Sequence, residues 1–367
     1  MSFWINRRRF MQTTSSAVAA GALSSVLPAS AQSSGQLTVT VGGGDVGKAT
    51  IEAFVKPFEA ETGIKVNAIT EDASMSAIEL MVKSGNVTLD VGAVAQTTAI
   101  TADGKGLLEK IDYSIHKKEE LDGMFEFAKQ PFGVAWPMYS YNMVYNTESF
   151  PASNPRPTTW ADFWDVEKFP GIRTLVSGAY GSEGPWEEAL LADGVPAEQL
   201  YPMDIDRIFT SLDKIKPHIR KWWGAGSEIQ QMLHDKAVDV AQSYDGRALL
   251  LIDQGAPIEI NRNQAKLQWD YYIIPKGGAN VQNAQKFIEF ITRADRQAAF
   301  CQIFPQGPTN RNAFKLIPEK IARKLTSNPD YMKSSVTING QWYNDIGPDG
   351  LTNTERLVQR WNEWVLQ

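Results

Sequence analysis

Two residues of opposite charge, placed near predicted strands, carry most of the chemical content of this sequence. Arg247 ends the run Tyr244-Asp245-Gly246-Arg247, which follows a predicted strand at 237–243, and Asp270 follows Trp269 in a later predicted strand, 267–274. The planar guanidinium of arginine suits a carboxylate, and an aspartate suits an ammonium group. We therefore predict that Arg247 and Asp270 bind ligand groups of opposite charge. The alternative is structural, with Arg247 paired to Asp270 or to Asp245.

A second anion-binding element is predicted just before a helix at 227–235. The run Trp222-Trp223-Gly224-Ala225-Gly226-Ser227 places small residues at the helix start, where free backbone N–H groups attract anions. Trp222 and Ser227 are accordingly predicted to face the ligand. The alternative is that both tryptophans pack in a core and that Ser227 only caps the helix.

Aromatic side chains are predicted to form the walls of the site, because their faces stabilise ammonium groups. The candidates are Trp136, Tyr139, Tyr141, Trp186 and Tyr244. Most aromatic residues of any chain lie in a core, so we expect only some of these five to contact ligand.

Residues 42–50 read GGGDVGKAT and nearly match a phosphate-binding loop. Alanine stands at position 49, where that pattern needs a hydroxyl to hold magnesium. The glycines instead predict a turn that lets a small ligand approach the backbone, with Gly44 and Asp45 facing it. The alternative for Asp45 is an ordinary helix N-cap.

No cofactor or metal is predicted from the remaining candidate ligands. The pair Tyr271-Tyr272 invites comparison with ferric-iron sites, but neighbouring residues on a strand point to opposite faces. The three histidines are scattered, and Cys301 is the only cysteine, which leaves no disulfide and no zinc spacing.

The elements that position these residues alternate between strand and helix. Strands are predicted at 37–41, 64–69 and 89–94, with helices through 51–58 and over 75–84. This order predicts a parallel sheet that binds ligand beyond the carboxyl ends of its strands, where Gln96 follows the third strand. Further strands are expected at 132–146, 172–176, 237–243, 258–260 and 267–274, and helices at 160–164, 227–235, 249–254, 283–293 and 295–302.

The first 31 residues predict an export signal that is cleaved near Ala31. Three arginines, Arg7 to Arg9, precede an uncharged run at 13–27 and the small-x-small sequence Ala29-Ser30-Ala31. The Arg-Arg-x-Phe order favours the twin-arginine route, with general secretion as the alternative. Removal of residues 1–31 leaves 336 of 367 residues and shifts the net charge from −6 to about −9. We expect a soluble periplasmic protein of two lobes that binds no nucleic acid.

Several short motifs, in order, resemble the spermidine/putrescine-type periplasmic solute-binding proteins of ABC transporters. They are Phe54, Glu61-Thr62-Gly63-Ile64, Asp90-Val91, Trp160-Ala161-Asp162-Phe163-Trp164, Pro170-Gly171, Gly255-Ala256-Pro257-Ile258, Gly307-Pro308-Thr309-Asn310 and Asn339-Gly340-Gln341-Trp342. The resemblance implies a two-lobed α/β fold of type II, each lobe a mixed, mainly parallel sheet flanked by helices, with two hinge crossovers. We expect one lobe at 36–139 plus 272–325, the other at 140–271, and a C-terminal helical segment, 326–367, packed on both. It also implies a monomer that docks on an inner-membrane permease.

The resemblance matches Asp270 to the aspartate that polyamine binders use for an amine, and Tyr244 to one of their aromatics. The chain departs from that pattern because Gly42 and Asp45 stand where those proteins have aromatics, and Arg247 would repel a polycation. We therefore predict a short zwitterionic ω-amino acid such as 4-aminobutyrate, with polyamines as the alternative. An exported hydrolase is disfavoured, since no G-x-S-x-G motif and no general-base histidine is apparent.

Overall fold

Two long antiparallel strands run through the centre of this computed structural model, which describes residues 35–70 and 73–367. The predicted export signal lies outside the described residues. The strands are β1 Gln36–Thr40, β2 Lys65–Ile69, β3 Gly92–Ala95, β4 Lys129–Gln130, β5 Gly133–Asn146, β6 Arg173–Val176, β7 Ile219–Trp223, β8 Val240–Tyr244, β9 Ile258–Ile273 and β10 Val336–Thr337. β5 and β9 are the two central strands.

The helices alternate with the strands along much of the chain. They are α1 Gly44–Thr50, α2 Lys56–Thr62, α3 Met75–Ser84, α4 Gln96–Gly104, α5 Lys118–Gly123, α6 Trp160–Trp164, α7 Trp186–Ala192, α8 Ile205–Ile215, α9 Gly226–His234, α10 Asp245–Asp253, α11 Val281–Thr292, α12 Ala294–Ile303, α13 Glu319–Ala322, α14 Pro329–Lys333, α15 Gly340–Asn344 and α16 Asn353–Trp364. A π-helical turn, Ile51–Val55, joins α1 to α2, and a 3₁₀ segment, Gly178–Glu183, precedes α7. Within the described residues, no helix has the length and apolar character needed to cross a membrane.

The sheet connects two hydrophobic cores through its central strands. Its order is β10-β9-β5-β8-β6-β7, with β3 added to β9 and β4 to β5, while β1 and β2 form a parallel pair. The first core is built from residues 37–138 and 269–325. The second core consists of two clusters that together span residues 139–258 and 336–364. β5 and β9 each contribute residues to both cores, so the chain crosses between the cores along these two strands.

Local sequence explains several element boundaries. Thr159 and Asp162 form a reciprocal capping box at the start of α6, and Gly63, at φ 72°, ends α2 in a left-handed conformation. α3 and α6 have the predicted bounds, and β5 begins one residue after its predicted start.

Four predicted elements differ clearly from the structure. The separate strands predicted at 258–260 and 267–274 are one strand, β9, with an irregularity between Asn261 and Lys266 where Gln264 has a positive φ of 58°. There Gln264 accepts the Trp160 N–H through Oε1 at 2.9 Å. The helix predicted from 249 begins at Asp245. Gly246 is part of this helix and not of a loop, and it lets the helix pack closely against Phe304. The third predicted strand, 89–94, starts at Gly92 and pairs antiparallel with β9, so it belongs to the large mixed sheet and not to a parallel sheet with β1 and β2. The predicted lobe boundaries stay a prediction.

Candidate functional site

A cavity of about 410 Å³ lies against the central strands and takes its lining from both cores. The turn after β1, the β3–α4 junction and the end of α12 form its first-core side. The segment 178–183 and the first turns of α9 and α10 form its second-core side. Tyr139, Asp270 and Tyr272 reach it from β5 and β9. The carboxyl ends of β1, β3 and β8 all border this cavity, as expected for ligand sites of α/β sheets.

Arg247 supplies the positive charge of the cavity from the first turn of α10. Its Nη1 donates to Oε1 of Gln230 at 2.8 Å. Gly226, the first residue of α9, packs against the guanidinium so closely that a Cβ there would lie 2.4 Å from Arg247 Nε. The start of α9 therefore adjoins the guanidinium, and a carboxylate bound there could also meet backbone N–H groups.

Neither predicted salt-bridge alternative for Arg247 occurs among the residues the structure describes. Asp245 instead lies 3.6 Å from Arg262 Nη1 and accepts the Ser140 N–H at 3.3 Å. Burial lowers the pKa of Arg247, and the nearby Tyr244 and Asp45 oppose that shift. The guanidinium thus faces the cavity as a cation.

Two carboxylates, Asp270 and Glu183, provide the negative charge. Asp270 accepts the Tyr139 hydroxyl at 3.1 Å, and Glu183 accepts the hydroxyls of Tyr141 and of Tyr244, the latter at 3.3 Å. Burial raises the pKa of all three tyrosines, so they act as neutral donors. Hydrogen bonds donated to a carboxylate favour its charged form, which suits this side of the cavity to an ammonium group.

The tyrosine rings form one cluster beside these carboxylates. The ring centroids of Tyr141 and Tyr244 are 4.5 Å apart, and those of Tyr139 and Tyr244 are 5.8 Å apart. Tyr139 and Tyr244 line the cavity, whereas Tyr141 lies fully buried behind them. The aromatic surface can therefore contact a bound cation without displacing the phenol hydrogen bonds.

The structure places Trp186, Trp222 and Ser227 away from the cavity lining. Trp186 is fully buried and packs on Trp361 at 5.9 Å, while its Nε1 donates to the Gly181 carbonyl at 2.7 Å. Trp222 also packs on Trp361, at 4.9 Å. Ser227 is exposed and is not the N-cap of α9, which is Ala225. The two tryptophans lie away from the cavity because α16, distant in sequence, packs against them.

Gly44, Asp45 and Gln96 do not line the cavity, although each is adjacent in sequence to a residue that does. Gly44 starts α1 at φ 63°, while Gly42 and Gly43 line the cavity. Asp45 lies in the first turn of α1 and is not its N-cap. Its pKa is lowered mainly by the hydrogen bond from Lys48, at 3.1 Å, and also by Gln230 and Arg247.

Gln96 begins α4 and is buried, and among the described residues its Nε2 has no hydrogen-bond partner. It lies between the lining residues Ala95 and Thr98. Its side chain packs near Gly340 of α15, where a Cβ would lie 3.3 Å from Gln96 Oε1.

Sequence reasoning missed four residues that the structure brings to this site: Tyr180, Glu183, Gln230 and Tyr272. Tyr272 has the strand parity of Asp270, and Gln230 lies one helical turn after Gly226, so both had a positional signal. Glu183 is the one acid in a glycine-rich stretch. Tyr180 has no comparable signal in the local sequence.

The tyrosine pair at 271–272 is split between two environments. Tyr272 lines the cavity, while the Tyr271 hydroxyl donates to the Phe127 carbonyl at 2.9 Å. Across the two described ranges, no group of three His, Cys, Asp or Glu side chains is arranged to hold a metal ion.

Comparisons with known proteins agree on the class of molecule. The family model described as bacterial extracellular solute-binding protein matches residues 53–331. A gamma-aminobutyric acid-binding protein of Pseudomonas aeruginosa is 32% identical over 346 residues, which cover 92% of this chain and 93% of that protein.

Solved structures show the same two-lobed fold. An ABC transporter substrate-binding protein from Bradyrhizobium japonicum is 32% identical with a TM-score of 0.80, covering 90% of this chain and 99% of that one. A protein described as a GABA receptor is 32% identical with a TM-score of 0.80, covering 90% and 97%. These relatives are binding proteins and not enzymes.

Proposed function

Since the chain belongs to the bacterial extracellular solute-binding protein family, we propose that it captures a short ω-amino acid such as 4-aminobutyrate and delivers it to an ABC permease. The observation that carries this proposal is one cavity that holds Arg247 together with Asp270 and Glu183. A ligand with one carboxylate and one ammonium group satisfies both signs of charge.

The ligand carboxylate binds Arg247 beside the start of α9, and the ammonium group binds Asp270 beside the tyrosine cluster. Each charge-assisted hydrogen bond contributes about 1.5–3 kcal/mol when water is excluded. A polyamine would gain the second contact but not the first. It would also place a cation near Arg247, which makes polyamines the weaker candidates.

Binding closes the two lobes by a hinge motion in this proposal. Residues 36–139 with 272–325 form one lobe, residues 140–271 form the other, and 326–367 pack on both. Asp270 and Tyr139 lie on the crossover strands, and Arg247 lies on a helix of the second lobe, so the ligand connects a lobe to the hinge. The closed form of the monomer then docks on the inner-membrane permease.

The protein works in the periplasm after its leader is removed near Ala31. Residues 1–31 combine arginines, an uncharged run and a small-x-small end, as secretory leaders do. N-terminal sequencing of the protein from a periplasmic extract tests this part, and an intact leader there would contradict it.

Calorimetric titration of the purified, ligand-stripped protein tests the ligand assignment. The panel contains 4-aminobutyrate, 5-aminovalerate, putrescine and spermidine. We expect tight binding of one or both amino acids and weak binding of both amines, whereas tight polyamine binding with no amino-acid binding would overturn the proposal.

Two variants assign the ends of the ligand. Arg247→Ala should abolish the preference for amino acids over amines, and Asp270→Ala should abolish binding of both ligand classes. Arg156→Ala removes a cation that pairs with Glu259 at 2.7 Å outside the cavity lining and serves as the control. Unchanged amino-acid affinity in Arg247→Ala would remove the main support for a zwitterionic ligand.

A further inference from the structure

A fully buried charge cluster lies behind the amine-binding side of the cavity. Lys266 Nζ lies 3.1 Å from Glu187 Oε2 and 3.0 Å from Glu188 Oε2, and these side chains are at most 1% exposed. Burial opposes the charge on Lys266, but Glu187 and Glu188 outweigh it and raise the pKa of that amine. Lys266 is therefore charged although no part of the cluster reaches solvent.

Stability alone is a poor explanation for such a cluster. Desolvating charged side chains is costly, and neutral side chains of similar volume often replace a buried ion cluster without loss of stability. A more specific contribution of these charged side chains is to fix the positions of neighbouring groups. Their other hydrogen-bond partners identify those groups.

Lys266 also holds the backbone of the segment that carries Glu183. Its Nζ donates to the Gly184 carbonyl at 2.7 Å and lies 3.4 Å from the Glu183 carbonyl. Gly178–Glu183 presents the side chains of Tyr180 and Glu183 to the cavity. The lysine thus fixes the end of this segment to strand β9.

The same lysine contacts the tyrosine that binds the Glu183 carboxylate. Lys266 pairs in register with Tyr141 of β5, and its Nζ lies 5.2 Å from the Tyr141 ring centroid. The Tyr141 hydroxyl donates to Glu183. Both the backbone and the carboxylate of Glu183 are therefore positioned through contacts of one buried cation.

The cluster extends to the C-terminal segment through Glu187. Glu187 Oε1 accepts the hydroxyl of Tyr343 in α15 at 2.7 Å. Glu188 Oε1 accepts Nε2 of Gln242 in β8 at 2.7 Å. Strands β5, β8 and β9, helix α7 and the C-terminal segment therefore meet at these charges.

We propose that Lys266, held between Glu187 and Glu188, is a positioning residue that fixes the segment 178–184 and thereby sets the geometry of the amine-binding side. The inference rests on the proposed function for its binding readout. It also makes the C-terminal segment, through Tyr343, part of the binding apparatus.

The main test is a variant that removes all the charges together, Lys266→Met with Glu187→Gln and Glu188→Gln. Removing the lysine alone would leave two buried carboxylates uncompensated and could prevent folding. The triple variant should keep a cooperative thermal transition but bind 4-aminobutyrate roughly tenfold more weakly or worse. Amide hydrogen exchange of residues 178–184 should accelerate in it.

Arg173→Met is the matched control. Arg173 is also fully buried and donates to backbone carbonyls, those of Phe163 and Gly171 at 2.8 Å, but these lie outside the cavity lining. Its loss should lower the melting temperature and leave ligand affinity and exchange of 178–184 unchanged.

Tyr343→Phe keeps every charge and serves as the second variant if the triple variant does not fold. It should weaken binding by a smaller factor and accelerate exchange of the same segment. A folded triple variant, or otherwise Tyr343→Phe, with parent-like affinity and exchange would overturn the inference. If the parent binds none of the panel, the proposed function fails, while the exchange measurement still tests the positioning role.

Discussion

A carboxylate placed beside Arg247 tests whether that guanidinium receives the ligand carboxylate. Gln230 accepts from Arg247 Nη1 at 2.8 Å and is half-buried. Gln230→Glu keeps this contact and adds one negative charge. A ligand carboxylate on another edge of the guanidinium would lie ~6 Å from the new charge, a distance at which two like charges repel by about 3 kcal/mol at an effective dielectric constant of 20. Solvent access reduces this to about 1.5 kcal/mol, or about tenfold in affinity.

The assay is calorimetric titration with 4-aminobutyrate and with putrescine at two salt concentrations. Gln230→Glu should weaken 4-aminobutyrate binding about tenfold, with a smaller loss at high salt, and should not weaken putrescine binding. Gln231→Glu makes the same change in net charge at an exposed neighbour and should leave both affinities near those of the parent. Equal loss for both ligands, or equal effects of the two variants, would refute the placement of the carboxylate at Arg247.

Three further predictions concern the site and its support. Gly226→Ala should weaken amino-acid binding in a titration without lowering the melting temperature much. The added Cβ would lie 2.4 Å from Arg247 Nε and displace the guanidinium, so unchanged affinity would contradict this prediction. Tyr139→Phe removes the hydroxyl that donates to Asp270 at 3.1 Å and should weaken binding of amino acids and amines alike, about tenfold, whereas a loss confined to amino acids would place the ammonium group elsewhere. Burial raises the pKa of Glu188 from 4.5 to about 7, so its contribution to the free energy of unfolding is present below pH 4.5 and is lost as the pH rises to 7. Denaturant unfolding across this range should show a fall of about 3 kcal/mol that Glu188→Gln removes, and an equal fall in that variant would assign it to other groups.

Features governed by local sequence were the most predictable. The capping residues before α6 and the apolar spacing of α3 gave their bounds, and the alternation of strands and helices gave the element order. Arg247 and Asp270 both reach one cavity because each lies near a strand end that borders it. The residue types and their positions therefore predicted two opposite charges that line one cavity, while their role in binding ligand stays a prediction.

Features that depend on distant packing were not predictable in the same way. Trp186 is an aromatic residue of the kind predicted to line the cavity. Trp361 and Gly184 instead lie against it, so its ring packs behind the segment 178–184. Tyr180 and Glu183, on that segment, reach the cavity in its place. A single sequence does not reveal which face of this segment α16 covers.

The polar contacts beneath α10 explain how the charges of the site are tied to the connections between the cores. Asp245, two residues before Arg247, accepts the Ser140 N–H of β5 at 3.3 Å and lies 3.6 Å from Arg262 of β9. Thr326, where the C-terminal segment begins, donates to the same carboxylate and accepts from Arg262 at 3.0 Å. β5, β9 and the start of the C-terminal segment therefore meet at the first turn of the helix that presents Arg247. If the proposed function holds, a ligand bound to both Arg247 and Asp270 would couple this helix directly to β9, and rotation of one core about the strands would change the distance that the ligand must bridge.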